Sequence, residues 1–305
     1  MTVPRSVKAV IAVVLIAAAA ILLVWLFRAP SAGPRTATPG KLKVVATNYP
    51  MYIFTLNVAG DDADVTNLLP SGVGPHEYSP TPADARSIAK ADVVVENGLG
   101  LENWLDGMMS SVGSKALVVV ASQGLATSTP EGVDPHVWVD PVMVQGMAAN
   151  IADGLAKADP AHAAAYRQRA AEYGVRLAAL DSEYRQAFTG FARRDFIAFH
   201  SAFGYLAKRY GLNQVAVIEE FPGKEPTAQY LASVVDTIRR DKVTAIFSEP
   251  QFSPKVVETV AQETGLKVRA LDTAETGAAS PDAYEKIMRA NLATLVDAFK
   301  EENLK

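Results

Sequence analysis

Short apolar runs alternate along this chain with longer stretches in which apolar residues return every three or four positions. Ala91–Gly98 (ADVVVENG) and Ala116–Ser122 (ALVVVAS) are continuous apolar runs, the pattern of strands covered on both faces. Leu42–Thr47 (LKVVAT) reads as a strand, and the short run Asp62–Leu69 follows a helix ending at Gly60. The recurring order strand–helix–strand predicts α/β layers with parallel strands.

The pattern then breaks. Asp159–Phe188 contains no strand candidate, and Tyr166, Ala170, Tyr173, Leu177, Leu180 and Tyr184 form one apolar stripe at helical spacing. Asp159 before Pro160 is a helix-start signal. One helix over Pro160–Phe188 would be roughly 43 Å long, enough to brace two lobes. Gly174 weakens it without breaking it. Beyond it the α/β pattern resumes. Strands are expected at Asp195–His200, Gln214–Ile218, Val243–Glu249 and Lys267–Asp272, and helices at Ser201–Gly211, Pro226–Asp241, Ser253–Gly265 and Ser280–Lys300. The expected organisation is two similar α/β lobes with parallel-type sheets, 42–158 and 191–305, joined by one long rigid helix over 159–190. No fixed-period repeat is present.

The N-terminus is unlike the rest. Ala9–Phe27 is an unbroken apolar run, preceded by Arg5 and Lys8 and closed by Arg28. As a helix it would be roughly 28 Å long, close to the hydrocarbon thickness of a bilayer. Residues 1–28 are therefore expected to be a signal anchor, with a cleaved signal peptide as the alternative. Residues 29–41, rich in Pro, Ala, Gly and Thr, read as a flexible tether. The body is expected outside the cytoplasm, held to the membrane by this helix, or secreted or periplasmic after cleavage.

Composition narrows the function. With a net charge of −4 the chain carries no basic footprint for nucleic acid. It has no cysteine, which excludes disulfides, thiolate metal sites and cysteine nucleophiles. Histidine is scarce, and three of the four residues fall where a strand or loop hands over to the next element. These are His76 in GPHEYSP, His136 in DPHVWVDP and His200 at the end of FIAFH. Asp272 ends a strand in the same way. Ligands gather at the carboxyl ends of strands in open α/β sheets, imidazole is a good neutral ligand for zinc, and an aspartate can complete a tetrahedron. Pro135 and Pro141 stiffen the His136 loop, beneath which Trp138 is expected to pack. Asp134, Asp140 and Glu77 are candidate acceptors for the second imidazole nitrogen. His162, on the polar side of the long helix, reads as solvated.

Asn67–Asp106, Asp134–Pro160, Phe199–Leu212, Lys224–Ile238 and Ala245–Gly265 together resemble the zinc/manganese solute-binding family of bacterial ABC transporters, metal-binding lipoproteins, over roughly residues 42–302. That resemblance implies His76, His136, His200 and Asp272 as the metal ligands, a site in the cleft between lobes, and docking on a membrane permease. It also implies a monomer and no enzymatic activity. Zinc is the expected cargo, because zinc-type members carry histidine and manganese-type members glutamate at the position of His200; manganese or dual binding is the alternative. Two departures stand out. There is no cysteine to lipidate, and the segment before His136 has no His-rich loop. An extracytoplasmic zinc hydrolase, with Glu77 or Glu249 as base, and a surface adhesin are the competing readings. Hydrolysis assays and metal uptake separate them. With unperturbed imidazoles, acid is expected to release the metal below roughly pH 6.

Overall fold

The computed structural model describes residues 40–70, 72–76, 78–125, 133–220 and 223–303. The apolar run Ala9–Phe27, nearly all of the tether, and Glu77 lie outside the described residues. Among those described, no helix is long and apolar enough to cross a membrane.

Among the described residues, eight short strands form two four-stranded sheets, every pairing parallel. The first holds β1 (Leu42–Ala46), β2 (Ala63–Asn67), β3 (Val93–Glu96) and β4 (Leu117–Val120) in the order β2-β1-β3-β4. The second holds β5 (Asp195–Ala198), β6 (Asn213–Val217), β7 (Ala245–Ser248) and β8 (Val268–Ala270) in the matching order β6-β5-β7-β8. The helices are α1 (Tyr49–Ala59), α2 (Pro82–Lys90), α3 (Leu105–Ser111), α4 (Pro141–Ala158), α5 (Ala163–Ala187), α6 (Gly204–Tyr210), α7 (Ala228–Asp241), α8 (Lys255–Thr264) and α9 (Ala283–Asn303).

The strand side chains alternate between two cores, as the twofold period requires. Val44, Val93 and Val95 of the first sheet and Phe196, Ala245 and Phe247 of the second join one continuous cluster. Their neighbours Val45 and Val94 face a separate cluster with Ile88 and Leu105, while Ile197 and Ile246 face another with Val234 and Val257. Each sheet is thus covered on both sides, which explains why its strands read as unbroken apolar runs. The central cluster runs through α1, α4, α5 and α9 and is shared by both sheets.

The chain passes from the first sheet to the second through two helices rather than one. The expected helix over Pro160–Phe188 starts as a 3-10 turn at Pro160–His162 and continues as α5. Asp159 does not cap it in the ordinary way: its Oδ2 accepts from His162 Nδ1 at 2.6 Å and from the Tyr166 hydroxyl at 2.9 Å. The apolar stripe is buried, with Tyr166, Tyr173, Leu177, Leu180 and Tyr184 all shielded. Ahead of it lies α4, packed along α5 and against β4. Gly154 permits that approach, because a Cβ there would sit 2.3 Å from Val119.

Gly174 is different. It lies inside α5, and a Cβ would meet nothing within 4 Å. Gly174→Ala is expected to stabilise the fold by about 0.5–1 kcal/mol, through helix propensity and a less flexible unfolded chain. Urea titration checks this; a lower midpoint would contradict it.

Candidate metal centre

Each histidine singled out in the sequence is delivered by a loop beyond a carboxyl strand end. His136 follows β4. Asp134 Oδ1 accepts both its backbone N–H at 2.9 Å and its Nδ1–H at 2.7 Å, folding the loop back on itself. Asn97, just past β3, donates to the Pro135 carbonyl at 3.0 Å, and the Tyr205 hydroxyl donates to the Asp134 carbonyl at 2.9 Å. Asn97 is itself held: Glu102 accepts its backbone N–H together with donors from Thr47 and Asn48 at the end of β1. Trp138 is fully buried below the loop, donating from Nε1 to the Thr273 carbonyl at 2.8 Å. Asp140 does not serve an imidazole. It caps α4 through Val142 N–H at 2.9 Å, ahead of Pro141, and pairs with Arg209 at 2.7 Å.

His200 lies two residues past β5 and repeats the logic of His136. Glu249, at the end of β7, accepts its backbone N–H at 3.2 Å and its Nδ1–H at 2.7 Å through one oxygen. The order β6-β5-β7-β8 reverses direction between β5 and β7, so the pair sits at the crevice where such sheets bind ligands. His76 comes from the long loop after β2 and keeps 17% of its side chain exposed, against 6% for His136 and 1% for His200.

These three imidazoles converge. His136 Nε2 is 2.9 Å from His76 Nε2 and 3.2 Å from His200 Nε2. The fourth member is Glu275, whose Oε1 lies 3.3 Å from His76, 3.7 Å from His136 and 3.8 Å from His200. All four donor atoms fall within 4.8 Å of one another. A tetrahedron with ligands about 2.0–2.1 Å from zinc has donor–donor edges of about 3.3–3.4 Å, and the observed spacings bracket that value. Because Asp134 and Glu249 take the Nδ1–H of two rings, the Nε2 atoms of His136 and His200 carry lone pairs aimed at one point. A cation resolves that convergence.

Asp272 is not part of this group. β8 ends at Ala270, and the Asp272 side chain turns back to accept from Ala274 N–H at 2.8 Å. Asn291 clamps its backbone from both sides, at 2.9 Å to the N–H and 2.6 Å to the carbonyl. Ala274 adopts a left-handed conformation with φ 58°, unusual for a residue with a Cβ. That turn swings Glu275 inward. Asp272 therefore builds the loop that presents Glu275, which the sequence alone had passed over. His162 lies apart, 45% exposed, bonded to Asp159.

A family model described as zinc-uptake complex component A, periplasmic (ZnuA), matches residues 44–298. The chain belongs to the ZnuA family. Family membership makes it an extracytoplasmic component of metal uptake rather than an enzyme. Among curated relatives, the high-affinity zinc uptake system protein ZnuA of Bacillus subtilis (strain 168) is 36% identical, covering 93% of this chain and 95% of its own length. Among solved structures, the SBP FpvC from Pseudomonas aeruginosa in complex with Mn2+ aligns with a TM-score of 0.79 and 33% identity, over 86% of this chain and all of that one. The laminin-binding protein Lmb of Streptococcus agalactiae, described as bifunctional with adhesin and metal-transporting activity, aligns at 0.79 with 35% identity, over 85% and 99%.

Burial tunes the site of this ZnuA-family chain. It pushes the His200 imidazole down to about 4 and lowers His136 as well. Burial opposes ionisation of Glu275 too, but the hydrogen bond from His76 and the three surrounding imidazoles outweigh it and hold the carboxyl below its usual range. At neutral pH the lowered His136 and His200 rings are thus neutral beside the Glu275 carboxylate, the protonation states that metal binding needs. Protons compete for the same lone pairs, so affinity falls as pH falls through the metal-free values. The lowered imidazoles move this loss below the pH 6 threshold expected from unperturbed histidines. The metal-free fold has its own pH dependence. Unfolded histidines take protons near about 6.5, whereas folded His200 does so only at about 4. Stability is therefore lost as pH falls between those values, on the order of 3 kcal/mol from His200 alone. Urea unfolding of chelator-treated protein at several pH values checks this; a midpoint that rises on acidification would contradict it.

Proposed function

We propose that this chain captures Zn2+ outside the cytoplasm and delivers it to the membrane permease of an ABC transporter, with His76, His136, His200 and Glu275 as the four ligands. The observation that carries the reading is the convergence of three Nε2 atoms and one carboxylate oxygen at tetrahedral spacing. Four protein donors fill a zinc coordination sphere and leave no open position for a reacting water, which favours carriage over hydrolysis. Three imidazoles suit zinc better than manganese, and the intrinsic affinity order adds to that preference. The zinc-uptake name of the Bacillus subtilis relative supports this cargo. Manganese is the second reading, favoured by the Mn2+ complex of FpvC.

In this reading the chain acts as a monomer, tethered through Ala9–Phe27. Release proceeds by movement of the ligand loops rather than by opening of the two sheets, because the cluster shared by both would be exposed by a hinge. Zinc uptake by a deletion strain under chelator limitation tests the proposal. The wild-type gene restores uptake, and a His200→Ala allele does not. Full rescue of zinc uptake by that allele would overturn the reading. Surface attachment that depends on the chain while zinc uptake does not would favour an adhesin role of the kind described for Lmb.

A further inference from the structure

Gln251 lies outside the four-atom group yet bonds to two of the carboxylates around it. Its Nε2 is 3.0 Å from Glu249 Oε2, 3.3 Å from Glu275 Oε2 and 2.9 Å from Thr273 Oγ1. The other oxygen of each carboxylate is already engaged. Glu249 Oε1 receives the Nδ1–H of His200, and Glu275 Oε1 faces the three imidazoles. Gln251 Oε1 is buried with no hydrogen-bond partner among the described residues. Turning the amide over would set that oxygen against the Glu275 carboxylate, so charge dictates the orientation. The side chain thus leaves its own acceptor unsatisfied and spends its donor on the outer oxygens of Glu249 and Glu275.

We propose that Gln251 is a positioning residue that sets the metal preference: by holding Glu275 Oε2, it confines Glu275 to one-oxygen coordination and keeps the site four-coordinate. The inference rests on the metal-capture reading above. A four-coordinate shell with three imidazoles suits zinc, whereas manganese favours more, and oxygen-rich, ligands. With Oε2 released, the carboxylate can rotate and offer both oxygens, and the site shifts toward the larger shell. Outer hydrogen bonds of this kind typically carry tenfold or greater effects on metal affinity.

The test is Gln251→Met in the full chain, a side chain of similar reach with no donor. The probes are Zn2+, Mn2+ and Co2+ added singly, because four-coordinate Co2+ absorbs visible light far more strongly than five- or six-coordinate Co2+. The variant is expected to bind one Co2+ with visible absorption per ion lowered at least about twofold as the shell expands. Its preference for Zn2+ over Mn2+ should fall at least about tenfold. Unchanged absorption per bound ion, with both metals weakened equally or neither weakened, would overturn the proposal. Should the variant not fold, X-ray absorption of the zinc-loaded wild-type chain decides instead. Four near ligands support the proposal, and five or more sink it. A wild-type chain that binds no zinc fails at the capture reading beneath.

Discussion

His200→Ala is expected to abolish tight zinc binding while the chain remains folded. Four-ligand zinc sites have apparent binding energies of about 10–16 kcal/mol, so one ligand is worth about 3–4 kcal/mol, or two to three decades in affinity. The loss is concentrated here because His200 is held from both sides: Glu249 fixes Nδ1, and Nε2 faces His136 at 3.2 Å. Glu249 keeps its bond from Gln251 and the backbone N–H of residue 200 after the substitution, so it is not left bare. The cavity and the lost bond should cost about 1–3 kcal/mol of stability, which a folded chain of this size tolerates. His200→Glu should move the preference toward manganese, since carboxylate oxygens suit that ion. Competition titration against a chelator of known affinity checks both. Unchanged zinc affinity in His200→Ala would be incompatible with the site described.

The second large effect separates Glu275 from Asp272. Glu275→Ala removes the one carboxylate of the group and should also weaken zinc by two to three decades. Asp272→Asn retains an oxygen able to accept the Ala274 N–H, so the loop should keep its shape. Binding in that variant should stay within about tenfold of wild type, the scale of an outer-shell change. The reverse outcome, severe loss in Asp272→Asn and little in Glu275→Ala, would return Asp272 to the ligand set.

These two carboxylates show where sequence reading reaches its limit. The strands were legible because burial on both faces leaves unbroken runs such as Val93–Val95. The α5 stripe was legible because Tyr166, Tyr173 and Leu177 keep helical spacing. Three histidines at strand ends stood out through rarity and position. Choosing between Asp272 and Glu275 depended on a left-handed residue at Ala274 and on a strand that stops at Ala270. Neither is written in residue type, although the paired acids in LDTAETG mark a loop with more than one choice. Asp134 was legible as a partner of His136 because it is two residues away. Glu249 bonds to His200 across 49 residues, and only the pairing of β5 with β7 brings them together. The junction at Asp159–Pro160 was legible as a helix start, whereas α4 ahead of it, packed along α5, carried no such reading.

The most direct test is a crystal structure of the zinc-loaded chain with anomalous scattering recorded at the zinc edge. The account predicts one strong peak per chain, about 2.0–2.2 Å from Nε2 of His76, His136 and His200 and from a Glu275 oxygen, with Asp272 still bonded to Ala274. A peak elsewhere, or a coordination shell in which Asp272 replaces Glu275, would contradict it.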